Sequence, residues 1–226
     1  MSLGDAGEGA PEQSFDKQRV DGGYEGPGGV VLREDRFVMS VVSFTPGDCA
    51  GFGVPRMPDV VMGPPVGGGA LQGGLDVVSL GYHGEIVLRF GDNAIVDGAG
   101  PDFIVFENSF YAAGDTSKPS ADPGEVSVSE DGQTWKTFAC TPGTTAPYGA
   151  CAGWHAVFSA PGNEISPFDP QTAGGDAFDL AEVGLTKARY VRIVDKSTIT
   201  CPANPGKPTN LGFDLDAIAI VHAETP

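Results

Sequence analysis

The chain has 226 residues, with 13 Lys plus Arg against 30 Asp plus Glu and a formal charge of -17. That charge repels a phosphate backbone and an anionic bilayer surface, so nucleic acid is excluded as a natural partner. With 34 Gly and 19 Pro, long helices are disfavoured and short strands joined by long loops are expected, which predicts an all-β protein. The length suits one large β-sandwich, and no charge run or low-complexity linker divides its middle.

Along the chain, Met1-Ser-Leu does not open a signal peptide and reads as a leader standing in place of a removed export signal. Residues 1–28, rich in Gly and acidic side chains, are expected to be a flexible tail, with residues 29–226 as the folded domain. No apolar stretch reaches the roughly 18 residues of a membrane span, so no membrane insertion is expected. The stretch from Phe37 to Phe44 predicts a strand that stops at Pro46 and Gly47, and the Gly- and Pro-rich stretch from Gly51 to Gly74 predicts loop. The segment from Glu85 to Phe90 alternates, placing Ile86, Leu88 and Phe90 on one face and Glu85, Val87 and Arg89 on the other. Asp102 to Glu107 predicts a further strand. Strands near Val126 and Trp135 are joined by a hairpin at Asp131-Gly132, with Trp135 expected in the core. The one short helix expected runs from Asp179 as N-cap to Gly184 as C-cap.

Cys49, Cys140, Cys151 and Cys201 match no zinc spacing and point to two disulfides in an oxidising compartment. Three pairings are possible. A Cys140–Cys151 bridge, pinning the Pro/Gly-rich loop between them, with Cys49–Cys201 as the long-range partner, is preferred.

The acidity has two readings, solubility outside a cell or carboxylates gathered round a divalent cation, for which calcium is the hard, oxygen-seeking candidate. Asp214 and Asp216 lie two residues apart on a predicted strand, hence on one face and about 7 Å apart. They could flank one cation or form a charged strand edge that resists pairing with other chains. Asp176, in the cluster ending at Asp179, is a weaker cation candidate, because a turn and helix cap explain that cluster equally well. Sugar binding needs aromatic faces beside polar groups. The loop candidates are Tyr82, Phe110, Tyr111, Tyr148 and Trp154, of which Trp154 stands out because it follows Cys151. Packing beneath long loops is the competing role for all of them. Only three His are present, and no nucleophile, metalloprotease or phosphate-loop motif occurs, so no catalytic residue is assigned.

Three segments together resemble the second half of a discoidin-like, galactose-binding-type β-sandwich: Glu125 to Phe138 with its Ser-x-Asp-Gly-x-x-Trp pattern, the Arg-Tyr-Val-Arg-Ile run from Arg189, and Gly212 to Val221. The first half, from Met57 to Pro65, Val78 to Phe90 and Asp97 to Glu107, is similar to a group of bacterial cell-surface proteins with the same sandwich and no settled ligand. The resemblance implies a jelly-roll, galactose-binding-like fold with long loops and at most one or two short helices. It also implies export and a binding function at the cell surface. Related jelly-roll carbohydrate modules hold a structural calcium with an acidic residue on the last strand and a carboxylate from an early one. By that resemblance Asp216 takes the first role and Glu107 or Asp102 the second, although the usual early Glu-x-Glu is missing here.

The functional expectation is therefore an extracellular carbohydrate-binding module with a structural calcium, metal candidates Asp102, Glu107, Asp214 and Asp216, and ligand-binding candidates Tyr111, Tyr148 and Trp154. The partner is a glycan or, in the second reading, a cell-surface protein met by an adhesive module. A third reading is a glycan hydrolase using Glu107 and a C-terminal aspartate.

Overall fold

A computed structural model describes residues 17–198, 201 and 211–225. The fold is all-β; among the described residues every strand pair is antiparallel and helical structure is confined to short 3-10 turns. Two sheets face each other across one main core. The larger runs in the order Lys136–Thr137, Gly124–Ser129, Tyr190–Asp195, Glu85–Arg89, Ser40–Thr45, with Cys151–Ala152 also paired to Gly124–Ser129. The smaller places Phe103–Phe106 between Asp176–Phe178 and Ala217–Ile220.

Side-chain alternation explains how the larger sheet buries one face. Val191 and Ile193 point inward while Tyr190, Arg192 and Val194 stay partly exposed, and the register sets Val126 opposite Ile193 and Val128 opposite Val191. Ile86, Leu88 and Phe90 are likewise buried. The outward Arg192 lies over the Trp135 ring, 4.7 Å from its centroid. Trp135 is thus half-buried beneath a guanidinium instead of entering the core, and Phe138 fills the interior in its place.

In the smaller sheet Phe103–Phe106 and Ala217–Ile220 are buried on both faces, which is why they read as continuous apolar runs, whereas Ala177 of Asp176–Phe178 is exposed. Phe103, Val105, Ile218 and Ile220 join the main core. Ile104, Phe106, Ala217 and Ala219 face a second cluster with Tyr24, Leu32 and Phe37. Each such aromatic burial contributes about 1.5–3 kcal/mol.

That second cluster corrects the expected tail. Residues 17–28, expected to be flexible, belong to the fold: Arg19–Val20, Gly23–Glu25 and Val31–Arg33 form a three-stranded sheet. Residues 1–16 lie outside the described residues. The composition hides the reason, since a single Tyr24, 3% exposed, anchors the segment edge-on against Phe37. The Phe37–Phe44 strand is shifted as well. Phe37 makes one bridge to Ala219, and the regular strand is Ser40–Thr45 with an irregularity between Val41 and Ser43.

Gly51 to Gly74 is loop with two 3-10 turns, Val54–Arg56 and Asp59–Val61. Leu180–Val183 is a 3-10 turn capped as expected: Ala181 N–H donates to Asp179 Oδ1 at 2.9 Å, and Gly184 adopts φ 69°. The disulfides are Cys140–Cys151 and Cys49–Cys201, with Cα separations of 4.4 and 5.7 Å. Among the described residues no helix is long and apolar enough to cross a membrane.

Candidate functional site

One end of the sandwich gathers most of the polar chemistry. The pairings Phe106 with Ala217 and Gly124 with Asp195 bring four strand ends to this pole. The backbone N–H groups of Phe213 and Asp214 tie the two sheets together there, donating to Asp195 Oδ1 at 2.8 Å and Glu107 Oε1 at 3.2 Å.

A cleft of about 360 Å³ opens at this pole, and Tyr111, Trp154, His155 and Gln171 are among the residues that line it. Its wall is built by Asp176, at the start of Asp176–Phe178 and 5% exposed. Asp176 Oδ2 accepts the N–H groups of Gly153 and Trp154 at 2.7 and 3.2 Å, and Oδ1 lies 2.6 Å from His155 Nδ1. Gly153 has φ 88°, and a Cβ there would sit 2.5 Å from the Asp122 carbonyl oxygen, so the turn that presents Trp154 requires glycine. The Trp154 indole N–H donates to the Cys151 carbonyl at 3.0 Å, and the Cys140–Cys151 bridge fixes that strand. His155 lies against the indole with ring centroids 3.9 Å apart. Tyr148 is 5% exposed and meets Trp154 edge-on at 5.7 Å. It supports the indole from behind and does not line the cleft. Asp176, read from sequence as a cation candidate, has both oxygens engaged in holding this wall.

Beside the cleft lies a buried acidic group. Glu107 is 4% exposed and follows directly on Phe103–Phe106, while Asp214 opens the last run of strands. Asn108 Nδ2 donates to Asp214 Oδ2 at 3.1 Å. Glu107 Oε2, Asn108 Oδ1 and Asp214 Oδ1 are buried and have no hydrogen-bond partner. Burial, reinforced by the Asp214 charge, holds the Glu107 carboxyl well above the usual range. Burial, with Asp214 nearby, pushes Asp122 up to about 7, and burial also raises Asp214. Among the described residues no Lys, Arg or His pairs with Glu107, Asp122 or Asp214.

The other two metal candidates sit elsewhere. Asp102, fully buried, accepts the N–H groups of Gly98 and Leu180 at 2.8 and 2.7 Å, and its Oδ1 lies 2.8 Å from His222 Nδ1. Asp216 accepts Val66 N–H at 2.7 Å and faces Lys17 at 3.8 Å, and burial pushes its carboxyl up to about 7. So Glu107 and Asp214 come together, while Asp102 and Asp216 each belong to a separate network. Asp214 and Asp216 diverge because the strand changes partners between them, from Val78–Ser79 to Phe103–Phe106. Asp97, Asp102 and Asp179 bring three carboxylate oxygens within 4.8 Å of one another. Asp102 is already saturated there, and Asp179 caps the 3-10 turn.

The sequence signals missed His155, Gln171, Asn108, Asp122 and Lys17. Only Asn108, directly after Glu107, was within reach of pattern reading.

A pH dependence follows from these carboxyls. Asp122 and Asp216 keep protons in the folded state that the unfolded chain, near 3.8, has already lost. Between about pH 4 and 7 the folded state therefore binds more protons, so stability falls as pH rises through that window. The loss is on the order of several kcal/mol for the two groups together. Thermal melts from pH 5 to 8 with chelator present should show a falling midpoint, and a flat or rising one would contradict the assignment.

No family model matches the chain, and no curated protein matches it. The fold and the site define an antiparallel β-sandwich with an aromatic-walled, polar cleft at one pole.

Proposed function

We propose that the chain is an extracellular carbohydrate-binding module at a bacterial cell surface, and that the cleft lined by Tyr111, Trp154, His155 and Gln171 holds the sugar. The observation that carries this reading is the half-buried Trp154 ring, braced by Tyr148 and by the Cys151 carbonyl, beside the polar edges of His155 and Gln171. A sugar ring lays its C–H face on an aromatic plane and directs its hydroxyls to hydrogen-bonding side chains, and a volume of about 360 Å³ admits a unit of that size. The likeness to galactose-binding-type sandwiches supports the class. The two disulfides support an oxidising, exported location.

Hydrolysis finds less support in the cleft. Asp176 is the one carboxylate among its lining residues, and it is spent on two N–H groups and His155. Two-carboxylate chemistry needs a second acid facing the same sugar.

A glycan array and polysaccharide pull-down test the proposal. Saturable binding by the wild type, weakened at least about tenfold in Trp154→Ala with the fold retained by circular dichroism, is the expected result. Binding to no glycan by the folded wild type would overturn it and leave the protein-interaction reading.

A further inference from the structure

We infer that the outward face of the larger sheet carries an anion site, in which Arg89 and Arg192 take the carboxylate of a singly charged sugar acid. The site lies away from the cleft. Ser129 pairs with Tyr190 and Tyr190 with Arg89, at the end of these strands opposite Gly124 and Asp195. Arg192 is two residues along from Tyr190, hence on the same face and about 7–8 Å diagonally from Arg89, within reach of two long side chains.

The other arginines are engaged within the fold. Arg19, Arg33, Arg56 and Arg189 each pair with a carboxylate, and Arg36 donates to the Ile220 and Val221 carbonyls. Among the described residues no carboxylate lies within ion-pair distance of Arg89 or Arg192, although acidic side chains outnumber Lys and Arg by 30 to 13. Their Nε atoms are buried without a partner, and the one hydrogen bond between them is a long one, 3.4 Å from Arg192 Nη2 to Ser127 Oγ. Each guanidinium is held instead over a ring, Arg192 at 4.7 Å from the Trp135 centroid and Arg89 at 5.9 Å from that of Tyr190. Such a contact orients the guanidinium and leaves its N–H fork for an outside acceptor, to which a carboxylate is the matching shape. Asp131, in the turn beside Ser129, is taken by the Ser129 hydroxyl and the Gln133 and Thr134 N–H groups.

The surroundings limit the ligand to one charge. A formal charge of -17 repels a polyanion. Further along the same face Glu125 and Glu85 flank Val194 in the register and close the positive patch. Thr137, exposed, and Ser40, half-buried, stand in the rows of Arg192 and Arg89 and offer hydroxyls to a sugar ring. The choice of a sugar as the carrier of the carboxylate rests on the carbohydrate reading, whereas the anion site itself does not.

Galacturonate and galactose, which differ by a carboxylate against a hydroxymethyl group, are the probes. In Trp154→Phe the sole indole is Trp135, under Arg192. Galacturonate should change its emission saturably, with a dissociation constant on the order of 1 mM, and galactose should leave it unchanged. Adding Arg89→Gln, with the fold retained by circular dichroism, should weaken galacturonate at least about tenfold. No emission change in folded protein at about 20 mM galacturonate, an equal response to galactose, or unchanged affinity in Arg89→Gln would overturn the site. Tighter binding of N-acetylaspartate than of galacturonate would overturn the sugar acid as its ligand. Because Trp154 is absent from this variant, failure of the cleft to bind glycan leaves the result standing, and the two readings fail separately.

Discussion

Lys17→Met should lower folding stability by about 3–5 kcal/mol, the effect of stranding a buried charge by deleting its partner. The Lys17 side chain is 8% exposed, and the Asp76 and Asp216 side chains that face it are 5% and 2% exposed. Asp76 retains Arg56 at 2.7 Å after the change. Asp216 retains only the Val66 N–H for its carboxyl, and the Val60 and Met62 carbonyls lose their donor. Methionine preserves most of the length of the stem, so the effect isolates the ammonium. Urea unfolding should show a lowered midpoint at an unchanged slope, whereas Lys118→Met, which removes an exposed pair with Asp115, should leave the midpoint in place. A Lys17→Met midpoint equal to wild type would mean that residues 17–28 are not part of the cooperative fold.

Asp102→Ala is expected to cost a similar amount, about 3–5 kcal/mol. The fully buried carboxylate satisfies Gly98 N–H, Leu180 N–H and the His222 ring. Its loss strands two backbone donors at about 1–3 kcal/mol each and removes a hydrogen bond to the imidazole. The test is urea unfolding beside the wild type: a lowered midpoint at an unchanged slope is predicted. An Asp102→Ala midpoint equal to the wild type would contradict the role of this carboxylate as the acceptor of the Gly98 and Leu180 N–H groups.

The sheets were legible in the sequence because their patterns are local. Alternation over Glu85 to Phe90 marked a strand, although Val87, expected on the open face, is buried too, and the runs at Phe103 and Ala217 marked strands without revealing that both of their faces are covered. The cap at Asp179 and the turn at Gly132 were legible for the same reason. Non-local features were not. Tyr24 reads as one of two aromatics, with Phe15, in a polar tail until Phe37 is brought against it. Asp214 and Asp216 read as one pair until the change of strand partners separates them. Trp154 was legible through Cys151, but the Asp176 brace that holds it arrives from 22 residues away. His155 and Gln171 become candidates only once the cleft exists.

The central claim is that sugar binds against Trp154, and the chain contains only one other tryptophan, Trp135, which lies under Arg192 on the larger sheet. Replacing Trp135 by Phe leaves Trp154 as the sole indole reporter. Titrating that variant with the best glycan from the array should change its emission saturably, with the same dissociation constant found by calorimetry. Calorimetric binding with no change in Trp154 emission would place the sugar elsewhere and contradict the account.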